Sequence, residues 1–107
     1  MLNDSSLQQM NKGKVVELVV YRVTSEAASN TALLVDTVNE HVKAFEGFIS
    51  RQVHQSTDDP QVYMDYVHWE QLAHAQAAAA QIGNVPELAP FMAAIEEVIS
   101  FAHYELR

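Results

Sequence analysis

The sequence predicts an α+β fold in which an antiparallel sheet of four strands carries helical crossovers. Segments rich in β-branched and aromatic residues alternate with segments of helical spacing. Two of the strand segments are joined by a turn too short for a parallel connection. A chain of 107 residues with a hydrophobic share of 49% has room for one domain with a real core.

The first strand is predicted over Val15–Val23 (VVELVVYRV), where β-branched residues dominate. Residues 1–13 before it are polar, and we expect a flexible N-terminal tail, or else an arm that docks on a partner subunit, ahead of a domain over 14–107. Alternation places Val15, Glu17, Val19, Tyr21 and Val23 on one face and Val16, Leu18, Val20 and Arg22 on the other. Because both faces are largely apolar, we expect both to be covered.

The first helix is predicted between Asn30 and Gly47. Asn30 is the favoured N-cap, with Ser25 and Ser29 as competitors, and Gly47 is expected to end the helix in a left-handed conformation. The apolar positions at helical spacing are Leu34, Val38, Val42 and Phe45, with Asp36, Asn39, Glu40 and Lys43 mostly on the opposite side.

A hairpin follows. Phe48–Gln55 and Gln61–Trp69 are predicted as antiparallel strands around the turn Ser56–Pro60. The rest of the chain is predicted as a helix over Glu70–Ile82, which Gly83 stops, and a last strand over Val98–Leu106.

A short helix is predicted before that last strand. Pro86 and Pro90 suit its first turns, and its apolar face is predicted to comprise Leu88, Phe91, Met92 and Ile95.

The order strand, helix, strand, strand, helix, strand is that of a ferredoxin-like βαββαβ sandwich. Right-handed crossovers place both main helices on one face of the sheet. The other face would then expose several hundred Å² of apolar surface, more than soluble monomers usually tolerate. The sequence therefore predicts a homodimer with two sheets packed face to face, against the alternative of a monomer covered by its own tail.

Composition excludes several classes of function. A net charge of −8 disfavours binding to nucleic acid, and the absence of Cys excludes disulfides, thiolate metal sites and Cys nucleophiles. No segment predicts a signal peptide or a membrane span, so we expect a cytoplasmic protein with no membrane contact. Glu70 and His74 have the spacing of a ligand pair but no evident third ligand, so no metal site is expected.

Three segments resemble the dimeric α/β-barrel superfamily, in particular the branch named after antibiotic biosynthesis monooxygenases (ABM). They are VVELVVYRV, EGFISRQVHQSTDD and MDYVHWEQLAHAQAA. The most specific points are Gly47-Phe48 and Trp69-Glu70, and the resemblance covers residues 15–106. It implies the ferredoxin-like fold and a dimer, within a superfamily of varied chemistry.

The resemblance also implies candidate site residues. In the cofactor-free monooxygenases an Asn precedes a Trp on the third strand, and this chain has Asp65 and Trp69 at those places. A Tyr that those enzymes use on the second helix falls on Ala75. In the haem-degrading branch, an Asn would align with Tyr21 and a second Trp would fall near Ala78, so haem degradation is not expected.

Asp65 is the strongest catalytic candidate, because a carboxylate inside an aromatic-rich strand is costly unless it is paired or protonated. It is either a general base poised by desolvation or one member of a structural ion pair. Arg51 is its natural partner, as a structural salt bridge or as a bidentate ligand for an anionic substrate. The hairpin register decides whether Gln52 or Arg51 shares the face of Asp65.

The other candidates are aromatic residues and one histidine. Trp69 is either a core anchor or a wall of a substrate pocket, which Tyr21 and Tyr104 would also line. His103, on the last strand, is the favoured proton carrier among the five His.

The predicted function is therefore a cofactor-independent monooxygenase-like enzyme for a small aromatic or polyketide-like molecule, which oxygenates it after deprotonation. The alternative is a non-catalytic dimeric module that binds a small ligand or serves in interactions. A cavity between sheet and helices that Asp65 reaches would favour the enzyme, and a filled space would favour the module.

Overall fold

The computed structural model describes residues 14–107, and the tail predicted over 1–13 lies outside the described residues. Its strands are β1 (Val15–Val23), β2 (Phe48–Gln55), β3 (Val62–Trp69) and β4 (Ile95–Glu105). Its α-helices are α1 (Ser25–Ala28), α2 (Val38–Val42), α3 (Leu72–Gln81) and α4 (Ala89–Ala94). A π-helical turn over Leu33–Thr37 leads into α2, and 3₁₀ turns over Ile82–Asn84 and Pro86–Leu88 join α3 to α4.

The four strands form one antiparallel sheet in the order β2-β3-β1-β4. β2 and β3 are the predicted hairpin, and the crossovers through the helices bring β1 and β4 beside it. The ferredoxin-like α+β fold predicted from the order of the elements is confirmed.

All the helices that contribute to the core pack on one face of this sheet, which we call the inner face. The buried residues of the two central strands are all at odd positions: Val15, Tyr21, Val23, Tyr63, Asp65, Val67 and Trp69. One core cluster joins Tyr21 and Val23 to Leu34, Val38 and Phe91, and the other joins Trp69 to Ala75 and Ala78. The small side chains of Ala75 and Ala78 let α3 lie close to the sheet.

The outer face has no covering layer among residues 14–107. Its central apolar residues Val16, Leu18, Val20 and Met64 are half-buried by their neighbours in the sheet. Of the exposed large apolar side chains on β4, Tyr104 lies on the outer face opposite Val16, whereas Val98 and Phe101 lie on the inner face opposite Tyr21 and Val19. The outer face is therefore open and partly apolar, and whether a second copy covers it stays a prediction.

The first helical segment differs from a regular α-helix. The Asn30 side chain accepts the Leu33 amide at 3.4 Å, as predicted for the N-cap, and Thr24 caps the unpredicted helix α1 through the Ala27 amide. A π-helical turn precedes α2, and Asn39 accepts a hydrogen bond from Arg51 although the α-helical spacing predicts it on the polar side. α2 ends at Val42, before Gly47, whose φ of 81° confirms the predicted left-handed conformation.

The C-terminal boundaries need small corrections. β4 begins at Ile95, earlier than predicted, because Ile95 pairs with Val23 in the sheet instead of continuing the short helix. Met92, predicted in the apolar face of that helix, is 40% exposed, whereas Leu88 and Phe91 are buried as predicted. Gly83 lies in a 3₁₀ turn that follows α3.

None of the helices found between residues 14 and 107 has the length and hydropathy needed to cross a bilayer.

Candidate functional site

A cavity of about 280 Å³ lies between the inner face of the sheet and the helices. Four ionisable residues line it: Glu17, Tyr21, Arg51 and Asp65. The remaining wall is apolar and aromatic, and includes Val38, Phe45, Val67, Trp69, Phe91 and Phe101. An apolar chamber with a few convergent polar groups is the usual form of a small-molecule site.

Asp65 lies on β3 with its side chain on the inner face, opposite Val19 of β1 and Val53 of β2. This register places Arg51 on the face of Asp65 and Gln52 on the other face, which resolves the two alternatives left open by the hairpin sequence. Ile49 falls at an irregularity between Phe48 and Ser50, so the odd positions of β2 share the inner face only from Arg51 onward.

Both oxygens of Asp65 have partners. Oδ1 accepts the Tyr21 hydroxyl at 2.6 Å, and Oδ2 accepts Arg51 Nε at 3.0 Å and Nη2 at 2.8 Å. The Arg51 side chain is only 2% exposed and that of Asp65 12%, so the ion pair is a buried one. Tyr21, Asp65 and Arg51 therefore form a single hydrogen-bonded cluster at the cavity wall.

Arg51 uses its full donor capacity within the protein. Nη1 donates to Asn39 Oδ1 at 2.9 Å and to the Val35 carbonyl at 3.4 Å, and Nη2 also donates to the Leu34 carbonyl at 3.0 Å. With the bonds to Asp65, all five N–H groups of the guanidinium are donated. Its plane also lies 5.9 Å from the centre of the Phe91 ring.

The π-helical turn supplies two of the acceptors that hold Arg51. The carbonyls of Leu34 and Val35 belong to that turn, and Asn39 follows on α2. The turn thus couples the helical layer directly to the charged cluster in the sheet. Such turns interrupt α-helices frequently at functional sites.

Burial controls the ionisation of the cluster. It raises the pKa of Asp65 above its ordinary value, against the opposing influence of Arg51 and the Tyr21 hydroxyl. Burial also raises the pKa of Tyr21, and the neighbouring Asp65 charge raises it further. Tyr21 is therefore held in its protonated form, donating to the carboxylate.

Trp69 ends β3 with its indole buried, 3% exposed, and its ring lies edge-on to Phe48 at a centroid distance of 5.7 Å. It is both a core anchor of α3 and part of the cavity wall, so the two interpretations of Trp69 are compatible. Among residues 14–107, the indole Nε1–H has no hydrogen-bond acceptor. A buried donor without a partner is uncommon in folded proteins.

His103 and Glu17 form a second polar pair on the inner face. His103 on β4 lies opposite Glu17 on β1, with Nε2 3.1 Å from Glu17 Oε1. Glu17 lines the cavity, whereas His103 reaches it through Glu17. Tyr104, predicted to line the cavity beside Tyr21, lies opposite Val16 on the outer face, 54% exposed, so that prediction is wrong.

The sequence argument missed Glu17 and Asn39 as members of the site. For Glu17 the signal was present, because alternation places this carboxylate on the same face as Tyr21. For Asn39 it was absent, because α-helical spacing does not reveal a π-helical turn. Within residues 14–107, no group of three or more acidic or His side chains is arranged to hold a metal ion.

Comparison with known proteins identifies one family whose model matches this chain. The family model described as antibiotic biosynthesis monooxygenase matches residues 14–81. No curated protein matches the chain significantly.

Solved structures share the fold at low sequence identity. A candidate antibiotic biosynthesis monooxygenase from Bordetella bronchiseptica superposes with a TM-score of 0.73 at 17% identity, over 90% of this chain and 99% of that chain. SnoaB of Streptomyces nogalater, described as a cofactor-independent oxygenase, gives a TM-score of 0.69 at 18% identity, over 89% and 94%. The ActVA-Orf6 monooxygenase of Streptomyces coelicolor, in complex with nanaomycin D, gives 0.64 at 20%, over 87% of each chain. The match of the family model over residues 14–81, more than half of the sequence, shows that this chain belongs to the antibiotic biosynthesis monooxygenase family.

Proposed function

We propose that this chain is a cofactor-independent monooxygenase acting on a small aromatic or polyketide-like molecule. The observation that carries the proposal is the cavity, which Asp65, Tyr21 and Trp69 line and which is otherwise apolar. Membership of the family supports it, as do the fold relatives SnoaB and ActVA-Orf6, the latter bound to nanaomycin D.

The reaction requires only a substrate that is both an acid and a reductant. Removing a proton from an aromatic-flanked methylene leaves a delocalised carbanion, which reduces O₂ directly. One oxygen atom becomes the product carbonyl, and the other leaves as water with the two hydrogens of the methylene. The substrate supplies all four electrons, so the balance needs no separate reductant. A mostly apolar chamber limits the access of bulk water to the carbanion.

Each side chain of the site has a separate role in this reaction. Asp65 orients the Tyr21 hydroxyl at the cavity wall, and Arg51 positions Asp65 rather than binding substrate, because its donors are already used. Trp69 forms part of the aromatic wall against which the substrate packs. His103 acts in proton handling through its contact with Glu17.

The experiment follows anthrone as the probe, with oxygen consumption and anthraquinone formation measured in the presence of a metal chelator and no added cofactor. We expect the wild-type protein to accelerate the reaction, with one atom of ¹⁸O₂ in the product. Trp69→Phe replaces the indole by a smaller ring, and we expect its kcat/KM to fall about 10-fold because the substrate is held less closely. Tyr66→Phe, on the outer face of β3, is the matched control and leaves kcat unchanged.

A second candidate function is ligand binding without turnover. The observation that favours it is that Asp65 and Arg51 are hydrogen-bonded within the protein, which leaves neither group free to react with a substrate. If calorimetry detects anthraquinone binding and the protein does not accelerate oxygen uptake, the binding module is supported and the enzyme proposal is wrong.

We also propose that the chain forms a homodimer through the outer face of its sheet and the adjoining edge strand β4. The support is the apolar surface left by one-sided helical cover, including the exposed side chains of Ile99 and Tyr104. A two-fold axis places the same patch on both subunits and covers it in both.

A further inference from the structure

The cavity has two carboxylates, and they differ in how fully they are hydrogen-bonded. Asp65 accepts three hydrogen bonds, which occupy both of its oxygens. Glu17 accepts one, from His103 to Oε1, and among residues 14–107 its Oε2 has no partner. Glu17 is therefore the carboxylate with unused acceptor capacity at the cavity wall.

The surroundings of Glu17 leave room for a ligand. It lies on the central strand β1, opposite Val67 on one side and His103 on the other. From α3, the residues that line the same cavity are Ala78 and Ala79, whose methyl groups fill little space and carry no charge. The Glu17 side chain is only 13% exposed, so its carboxylate faces protein and cavity more than solvent.

We propose that Glu17 is the catalytic base of this site, and that His103 is its positioning residue. This inference rests on the proposed function and deepens it by naming the group that takes the proton. In the step, the substrate C–H bond breaks, an O–H bond forms on Glu17 Oε2, and the electron pair stays on the substrate as a delocalised carbanion. The proton leaves Glu17 afterwards with the water that O₂ reduction forms.

The ionisation of Glu17 agrees with this role. Burial raises its pKa above the ordinary value, the hydrogen bond and charge of His103 lower it, and the charge of Asp65 raises it. These are the charged groups that face Glu17 from β4 and β3, and the net effect is a raised pKa. A carboxylate with a raised pKa is a stronger base while still ionised at neutral pH.

The test separates proton transfer from oxygenation. Under argon in D₂O, base-catalysed exchange of the anthrone methylene protons is followed by ¹H NMR. We expect wild-type protein to accelerate exchange and Glu17→Gln, nearly isosteric, to lose at least ~100-fold of that acceleration. Glu97→Gln is the matched control, since Glu97 is an exposed carboxylate on β4, and it exchanges at the wild-type rate.

His103 is tested by a pH profile. Because His103 lowers the pKa of Glu17, His103→Gln shifts the acid limb of the exchange profile to higher pH. A merely structural role for His103 would lower the rate without moving that limb. Glu17→Ala provides a second variant: formate, which fits the space vacated, restores exchange if the missing group is a carboxylate base.

The outcomes distinguish this inference from the proposed function. Exchange retained in Glu17→Gln, or absent in the wild type, overturns the assignment of Glu17 even when oxygen uptake is observed. Exchange that depends on Glu17 supports its assignment as the base. If oxygen uptake is then absent in air, the monooxygenase proposal is wrong.

Discussion

Arg51 holds Asp65 through two hydrogen bonds to the same carboxylate oxygen, from Nε at 3.0 Å and from Nη2 at 2.8 Å. The other Asp65 oxygen is held by Tyr21, and the remaining Arg51 donors are held by the helical layer. The pair is thus a junction between sheet and helices as well as part of the cavity wall. Removing one partner of such a buried pair strongly destabilises the fold, because the other charge stays buried without a counter-charge.

Removing the charge of Arg51 is expected to destabilise the protein severely. Arg51→Met leaves Asp65 buried and unpaired, and we expect a loss of about 3–5 kcal/mol in the free energy of unfolding, measured by urea denaturation at neutral pH. The loss shrinks on acidification, because the stranded carboxylate becomes protonated.

The control is Arg22→Met, which breaks the half-exposed ion pair between Arg22 and Asp59. Its expected cost is small beside that of Arg51→Met, because solvent screens this pair. Equal costs for the two variants would show that the Arg51–Asp65 pair is not the junction described.

The Tyr21 hydroxyl is expected to contribute more than an ordinary hydrogen bond. Tyr21→Phe removes the donor to Asp65 Oδ1, and because that acceptor is charged we expect a cost of about 1.5–3 kcal/mol in chemical denaturation. Tyr63→Phe is the matched control. Its hydroxyl donates to a neutral carbonyl, that of Ala28 at 3.1 Å, and its loss is expected to cost about 1 kcal/mol. A reversed order of the two costs would contradict a charged Asp65.

The raised pKa of Glu17 predicts that the free energy of unfolding depends on pH. Its folded-state pKa is raised above the ordinary value of 4.5, so above that value the folded protein binds more protons than the unfolded chain. Stability from this group is therefore complete below pH 4.5 and is lost as the pH rises through the folded-state pKa. Asp65 acts in the same direction from its ordinary value of 3.8.

Glu17→Gln is expected to make the decline of unfolding free energy from pH 4.5 to neutrality shallower, as followed by urea titrations at several pH values. Glu97→Gln should leave the slope of the wild type. A steeper decline in Glu17→Gln would mean that the pKa of Glu17 is lowered in the folded state.

We expect that a side chain at position 47 is not tolerated. Its φ is 81°, and a Cβ there would overlap the ring of His74. We expect Gly47→Ala to lose at least ~2 kcal/mol, from the left-handed conformation and from displacement of His74. Gly83→Ala, where a Cβ would meet nothing within 4 Å, is the control and stays within about 0.5 kcal/mol of the wild type in thermal denaturation. Similar losses at both glycines would contradict the turn geometry.

The strands were predictable from the sequence because their signal is local. β1 and β2 have the predicted bounds, and the order of elements led directly to the observed topology. The partnership of Arg51 with Asp65 was predictable as one of two alternatives. It could not be decided, since a change of one residue in the turn moves every β2 side chain to the other face.

The helical contribution to the site was not predictable. Leu34, Val38 and Val42 fit an α-helix as well as a segment with a π-helical turn, so their spacing does not reveal that Asn39 and two carbonyls bind Arg51. The guanidinium that these groups bind comes from β2, which follows them in the sequence. The prediction for Tyr104 failed for a simpler reason: Tyr104 directly follows His103 on β4, so alternation places the two on opposite faces.

The proposed dimer gives a prediction at Tyr104, which is 54% exposed on the outer face of β4. In a dimer that buries this face, Tyr104→Arg places an unpaired charge at the interface, and we expect the dimer dissociation constant to rise at least ~10-fold. Leu72→Arg is the control, because Leu72 is a similarly exposed apolar residue, 39%, at the start of α3 on the helical side. Sedimentation velocity measures both. A wild-type protein that sediments as a monomer at micromolar concentration removes the dimer, and equal weakening by both substitutions places the interface elsewhere.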